Sequence, residues 1–572
     1  MEKINKLKTL IKESNLDGYL IPKNDEFFGE YIPENKDRLN YISNFSGSYG
    51  FALILKTKNY LFVDGRYSLQ AKIQSGEKFE IVTIPKRYPS NILKNQKLSI
   101  GYDPKLHTNQ MLNHLFQKTK CKLIPINTNL IDKIWTKKKK INPKKFFILE
   151  NKVTGQTYKN KIKHLCQVLR RNKLDLQFIS APENVAWLLN LRGDDSAYTP
   201  IPNSYLIIEN SNKANLFCNL KKIDNKTRKS LQNIKIIDID YLEVFLKKIK
   251  DKKFQIDNNS CSILFRNIIK KNNTIVETRD PVYILKSIKN KIEIKNSIDS
   301  HICDGAALTK FLFWLKNNYK RKKISEISAQ EKLLEYRKKN KSFRMLSFPT
   351  ISGSGPNGAI IHYKANKKTN RILKKGDIYL VDSGGQYNFG TTDVTRTISL
   401  ENNDKRIKDI YTRVLKGHIA VASYKLKKNT SGSEIDLVAR KYLKQINLDY
   451  AHGTGHGVGY FLNVHEGPQG ISRGNKVNFK QGMIVSNEPG YYEQGKFGIR
   501  IENLVTVKKN SSSLRFENLT MAPIDKNLIK KTLLNKKEIS WLNDYHSTVF
   551  KSLKKFMNGT ELVDLKNSCS NL

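Results

Sequence analysis

Four acidic side chains and one imidazole within residues 352–503 constrain this chain more than anything else in it: Asp382, Asp393, His456, Glu488 and Glu502. Their settings are LVDSGGQYNFGTTDVTRT, HGTGHGVG, IVSNEPGYY and GIRIEN. The β-rich run 378–382 leads into a Gly-rich turn and 393–400 leads out, so a hairpin can bring the two aspartates to one place. A fold that serves these residues must deliver several strand ends to a single point. One cation does not need four carboxylates and an imidazole. Two divalent cations close together do, because carboxylates can bridge and neutralise both.

Either aspartate alone reads equally well as a turn residue beside glycine. Glu488 and Glu502, in similar strand-end settings, tip the balance toward ligands. Alternation in GIRIENLVTV puts Arg500 and Glu502 on one strand face and Ile499 and Ile501 on the other. Glu502 is then half of an internal salt bridge or a ligand backed by a cation, and the second reading is preferred. His456 lies among glycines that forbid a helix and suit a loop whose backbone makes a close approach. Five of the ten histidines fall between His362 and His465. Imidazole binds metal or moves protons near neutral pH, so His456 is the candidate nitrogen ligand and His362 and His465 are candidate substrate contacts. The oxygen-rich set favours Mn, Mg, Co or Fe over Cu and leaves Zn possible. There is no GxSxG serine, no evident Cys–His pair and no Walker loop; SGSGPNG reads as a turn lining a pocket.

A chain of 572 residues has room for three or four domains. Mean hydropathy of −0.54 argues against a membrane protein. The first residues form an amphipathic helical pattern rather than a secretion signal. Six scattered cysteines, with no CxxC, fit a reduced, cytoplasmic protein. The net charge of +50 is spread along the chain among Asn and Ile. It reads as compositional bias, with runs such as Lys137 to Lys140 solvated, and no nucleic-acid or membrane partner is expected.

In chain order, residues 1–142 read as an α/β region with strands near 18–21, 51–55, 60–63, 79–84, 98–102 and 122–125 and a helix from about Tyr67. A Lys-rich linker covers 135–145. A second α/β region, 143–284, opens with a helix at 159–171 and strands at 176–179 and 204–208. Both regions run helix, strand, Gly-terminated segment, hairpin, which suggests an internal duplication. Residues 285–523 hold helical patterns at 289–316, 324–337, 405–425 and 432–444 around the acidic residues. The tail, 524–572, carries a stripe of Ile539, Leu542, Tyr545, Val549 and Leu553, and residues 566–572 read as frayed.

The five residues in their contexts resemble those of the pita-bread metallopeptidases. The fuller set DGAALTKFLFWL, SGSGPNGAIIHY, VDSGGQYNFGTTDVTRT, HGTGHGVGYFLNVHEGP and SNEPGYYEQGKFGIRIEN resembles the long, three-domain aminopeptidase P type. WLNDYH is similar to that type's terminal segment, and VDGRYSLQA and AWLLNLRG to its first two domains. The resemblance implies an α/β (α+β) chain: two creatinase-like domains, a pita-bread catalytic domain and a short C-terminal extension. It implies that Asp382, Asp393, His456, Glu488 and Glu502 hold two divalent ions, typically Mn2+, with Asp393 and Glu502 bridging. By the same resemblance His362, His465 and Arg66 contact the peptide.

The implied activity is removal of an N-terminal residue that precedes proline, by a hydroxide shared between the two ions. Glu488 would pass a proton to the prolyl nitrogen, with a nearby histidine helping to stabilise the oxyanion. The resemblance also implies a homodimer, with the C-terminal region as a candidate interface. Two alternatives stand beside this reading: a dipeptide-specific prolidase, and a non-catalytic binding protein on the same fold.

Overall fold

The computed structural model describes residues 2–136, 142–401, 404–510 and 513–572; the run Lys137 to Lys140 and part of the expected linker lie outside the described residues. The chain divides into two compact units, Met1–Tyr283 and Ile284–Leu572.

The first unit holds two six-stranded mixed sheets. One runs Glu80–Ile84, Asn59–Asp64, Phe51–Leu55, Gly18–Pro22, Ser99–Tyr102, Lys122–Pro125. The other runs Lys235–Asp238, Ala214–Cys218, Ser204–Glu209, Leu176–Ile179, Lys253–Ile256, Thr274–Glu277. Each sheet has a central antiparallel hairpin, an antiparallel partner to its first strand, and parallel pairs on the remaining edges. Order and sense are the same in both, as a duplicated unit requires. The central strands are buried on both faces, which is why FALIL reads as a continuous apolar run.

The second unit repeats a plainer pattern: two helices and an antiparallel sheet. Lys291–Asn318 and Glu326–Lys338 precede the sheet Ile351–Ser354, Ile378–Ser383, Val394–Ser399. Lys405–Ala422 and Gly432–Lys444 accompany the sheet Lys425–Leu426, Ser513–Asn518, Asn503–Asn510, Ile484–Asn487, whose short edge strand Lys425–Leu426 lies between the two helices in the chain. Several of these helices begin on reciprocal caps, Asn290 with Glu293 and Ser431 with Glu434, which satisfy backbone donors that would otherwise be orphaned.

The C-terminal helix Lys536–Leu553 lays Leu542, Tyr545, Val549 and Leu553 into the core that also holds Ile410, Val414, Ile499 and Ile501. The end of the chain is not frayed. A helix, Thr560–Cys569, continues past residue 566 because Leu565 and Cys569, one turn apart, are buried in the same core.

Candidate metal centre

Asp382 is the penultimate residue of Ile378–Ser383 and sits opposite Thr395; Ser383 pairs with Val394, so Asp393 follows directly on the ladder's end. Beyond it a second ladder begins, Gly385–Tyr387 with Gly390–Thr391. The Gly-rich turn expected there is therefore a hairpin of its own. Glu488 and Glu502 repeat the arrangement. They flank the Asn487–Asn503 pair that ends one ladder, and beyond them Gly490–Glu493 pairs with Phe497–Arg500. Asp393, Glu488 and Glu502 thus stand at interruptions between two ladders, and Asp382 lies one pair inside the end of its own.

The two hairpins are stitched together at the acids. Glu502 N–H donates to Thr395 O at 3.2 Å, and Thr395 Oγ1 donates to Glu502 Oε2 at 2.8 Å. Arg500 Nε donates to Thr395 Oγ1 at 3.0 Å, and its Nη2 lies 2.5 Å from Asp382 Oδ2. The alternation expected along GIRIEN is present, with Ile499 and Ile501 fully buried in the core behind. The cation's carboxylate partner, however, is Asp382 and not Glu502. Sequence fixes the face on which Arg500 lies, but the partner arrives from another hairpin.

His456 is carried on Gly455–His456, bridged through Gly457 to Val485. A Cβ on Gly455 would lie 1.9 Å from Ser486 O, so the close approach expected of the HGTGHGVG loop is real. Nδ1 of His456 faces Gly457 O at 2.9 Å. Its Nε2 then faces Asp393 Oδ2 at 3.3 Å and Glu488 Oε1 at 3.5 Å. Ligand atoms of Asp393, His456 and Glu502 all lie within 4.8 Å of one another. His465 packs edge-on against His456, ring centroids 4.4 Å apart. His362 is half-buried in the turn after Ile361, whose carbonyl lies 3.5 Å from Arg500 Nη2. Arg66 belongs to the first unit and is paired with Asp64 at 2.7 Å.

The electrostatics call for positive charge. Burial raises Asp382 to about 7; Arg500 opposes the rise, while Asp393 and Glu488 add to it. Glu488 is raised by burial, with His456 and Arg500 opposing, and Glu502 is raised well above the carboxylate range by burial and by its acidic neighbours. Burial would lower His456, but the Asp393 hydrogen bond and the Glu488 charge outweigh it and bring it to about 9. Asp382 Oδ1 and Glu502 Oε1 are buried with no hydrogen-bond partner. Orphaned carboxylate oxygens in a crowded anionic cluster fit hard divalent cations.

Sequence reasoning missed Tyr492. Its hydroxyl lies 2.5 Å from Arg500 Nη1 and 2.9 Å from His452 Nε2. The only signal was its place in EPGYY.

Family models match across the chain. Metallopeptidase family M24 covers residues 298–509, the Creatinase/Prolidase N-terminal domain covers 3–134 and again 137–293, and the C-terminal region of peptidase M24 covers 512–572. The chain is 38% identical to the probable Xaa-Pro aminopeptidase P of Laccaria bicolor, over 100% of this chain and 93% of that one. It is 39% identical to Xaa-Pro aminopeptidase 1 of Dictyostelium discoideum, over 96% of this chain and 92% of that one. The chain belongs to the Xaa-Pro aminopeptidase family. A solved family member, the X-prolyl aminopeptidase of Caenorhabditis elegans, superposes with a TM-score of 0.95 at 30% identity and covers 100% of this chain and 99% of its own. That protein is described as a cytosolic enzyme with a di-nuclear active site. The two creatinase-like domains and M24 domain of the Xaa-Pro aminopeptidase family thus agree with the fold expected from sequence.

Proposed function

We infer that this chain is a metalloaminopeptidase that hydrolyses the bond between an N-terminal residue and a following proline. The observation that carries the reading is the grouping of Asp393, His456 and Glu502 ligand atoms within 4.8 Å, with Glu488 Oε1 3.5 Å from His456 Nε2 and with buried oxygens of Asp382 and Glu502 left unpartnered. We propose these five as the residues that hold two divalent ions, Mn2+ first among the candidates. Such ions supply Lewis-acid polarisation of the scissile carbonyl and acidify water at neutral pH.

The chain's own groups do the rest. Nδ1–H of His456, donating to Gly457 O, leaves Nε2 as the lone-pair nitrogen toward the acids. Arg500 fixes Asp382, and Thr395 fixes Glu502, so neither carboxylate must reorganise. Glu488, whose carboxyl is raised, is suited to carry a proton to the prolyl nitrogen as the C–N bond breaks. His465 and His362 contact the peptide. Proline brings no amide N–H and a fixed φ, so recognition rests on ring shape rather than strand-like pairing.

The division into 1–142, 143–284, 285–523 and 524–572 belongs to this reading, supported by the two like sheets of the first unit. So does a homodimer, which sedimentation would test, and a cytoplasmic setting, in keeping with the cytosolic nematode relative. No helix among the described residues is long and apolar enough to cross a membrane.

The deciding experiment compares release of the first residue from Arg-Pro-Pro with cleavage of a plain Xaa-Pro dipeptide. Faster cleavage of the tripeptide is expected; exclusive cleavage of the dipeptide would make the chain a prolidase. Asp393→Ala should abolish release, and full activity of that variant in chelator would remove the metal reading.

A further inference from the structure

The WLNDYH segment lies outside the acidic cluster, yet two of its side chains are linked, through Arg396 and His418, to the backbone that carries Glu488 and Glu502. Arg396 is fully buried, and among the described residues it has no carboxylate partner. Instead its guanidinium gathers oxygens. Nη1 donates to Glu502 O at 2.6 Å and Thr395 O at 2.9 Å. Nη2 donates to Asn503 Oδ1 at 2.9 Å, to Ala522 O at 2.8 Å and to the Tyr545 hydroxyl at 2.9 Å. The Tyr545 hydroxyl in turn donates to Ala522 O at 2.8 Å. Tyr545 therefore holds the guanidinium that holds the Glu502 and Asn503 end of the ladder.

One helical turn earlier, Trp541 stacks on Tyr545 at 5.5 Å with an interplanar angle of 4°, and it also packs edge-on against His418 at 5.9 Å. His418 is buried and brackets the opposite strand: its Nδ1 faces Asn487 O at 3.1 Å, and Asn487 Nδ2 donates to His418 O at 2.9 Å. Asn487 immediately precedes Glu488. Since Asn487 pairs with Asn503, the C-terminal helix grips both strands of one register pair, one residue before Glu488 and one residue after Glu502. His546 adds a third tie by accepting from Ile524 N at 3.1 Å.

We propose that the C-terminal segment is a positioning clamp for the metal centre: Tyr545 through Arg396, and Trp541 through His418, set the spacing of Glu488 and Glu502. These are positioning residues, since neither touches the site itself. The proposal rests on the assignment of both glutamates as ligands. Outer partners of metal ligands commonly tune affinity by about 10-fold or more when removed, and a clamp acting on two ligands at once should do so without contact with substrate.

The test uses the full chain, Tyr545→Phe and Trp541→Leu, with Asp393→Asn as reference. Mn2+ binding by titration calorimetry, the visible absorption of the Co2+-loaded protein and thermal unfolding of the metal-free protein are measured together. Tyr545→Phe keeps the stacked ring and removes only the hydroxyl. It should weaken Mn2+ binding about 10-fold and shift the Co2+ bands, while the metal-free unfolding midpoint stays close to that of the parent. Trp541→Leu should weaken binding in the same direction. Parent-like affinity and Co2+ spectrum in both variants, whatever their stability, would overturn the clamp. Full Mn2+ binding by Asp393→Asn would instead overturn the metal assignment beneath it.

Discussion

Arg500 reaches from one hairpin to the other and places Nη2 2.5 Å from Asp382 Oδ2, both groups buried. It is the cationic side chain on an otherwise acidic strand end, and Tyr492 and Thr395 fix its other nitrogens. Arg500→Gln should leave Asp382 buried beside two further acids without its counter-charge. Breaking a buried pair this way costs about 3 kcal/mol or more. Thermal unfolding of the metal-free variant checks this, and an unfolding midpoint equal to that of the parent would count against the pairing.

The metal-free protein should lose stability as pH rises. Asp382 has its folded value raised to about 7, so the folded state holds a proton that the unfolded chain has already released above about pH 4. His456 is raised to about 9, so its contribution is present below its unfolded value and lost as pH climbs through 9. Both act in the same direction. With chelator, the midpoint of the parent should fall relative to Asp382→Asn between pH 5 and about 8. Mn2+ should flatten that slope, because binding displaces the same protons. A parent and variant that run parallel across the range would contradict the assignment.

Next to His465, Glu466 is buried between two lysines, 2.9 Å from Lys286 Nζ and 3.5 Å from Lys289 Nζ. Glu466→Ala leaves two buried ammonium groups without their shared anion and should cost about 3–5 kcal/mol. Lys289→Met should cost far less, since it leaves one matched pair, and burial already lowers that ammonium's affinity for its proton. Urea unfolding of the two variants gives the comparison directly.

Glu326 is a fully buried carboxylate that accepts from Ser354 N at 2.8 Å, Asn357 Nδ2 at 3.0 Å, Tyr363 OH at 2.8 Å and Arg371 N at 2.9 Å. It organises the SGSGPNG loop and the turn that bears His362. Glu326→Gln replaces one acceptor oxygen with a donor facing donors. The expected result is a KM for Arg-Pro-Pro raised by about 10-fold, with a smaller change in kcat; an unchanged KM would detach His362 from peptide binding.

The strands that sequence marks most clearly, Phe51–Leu55, Lys122–Pro125 and Leu176–Ile179, appear with the expected bounds. The later strands of the second sheet, Lys235–Asp238, Lys253–Ile256 and Thr274–Glu277, were not legible. They are short, and two of them lie at sheet edges where half-buried positions blur the apolar signal. The five acidic and imidazole positions stood out because Gly and strand-end contexts repeat around them. Arg500's partner, Tyr492 and the Arg396 hub did not, since each is defined by contacts across more than 80 residues or by a buried cation that sequence alone would assign to the surface. Residues 566–572 read as frayed for a related reason: exposed polar neighbours hide the buried pair Leu565 and Cys569.

Three of the four acids stand where one run of paired backbone stops and another starts, and Asp382 lies one pair inside such a break. The outer turns, at residues 388–389 and 494–496, are thus mechanically separate from the anchoring strands. Lengthening or trimming either turn would leave undisturbed the register that holds the acids. The outer turns can therefore vary in length and sequence while the acidic cluster keeps its geometry.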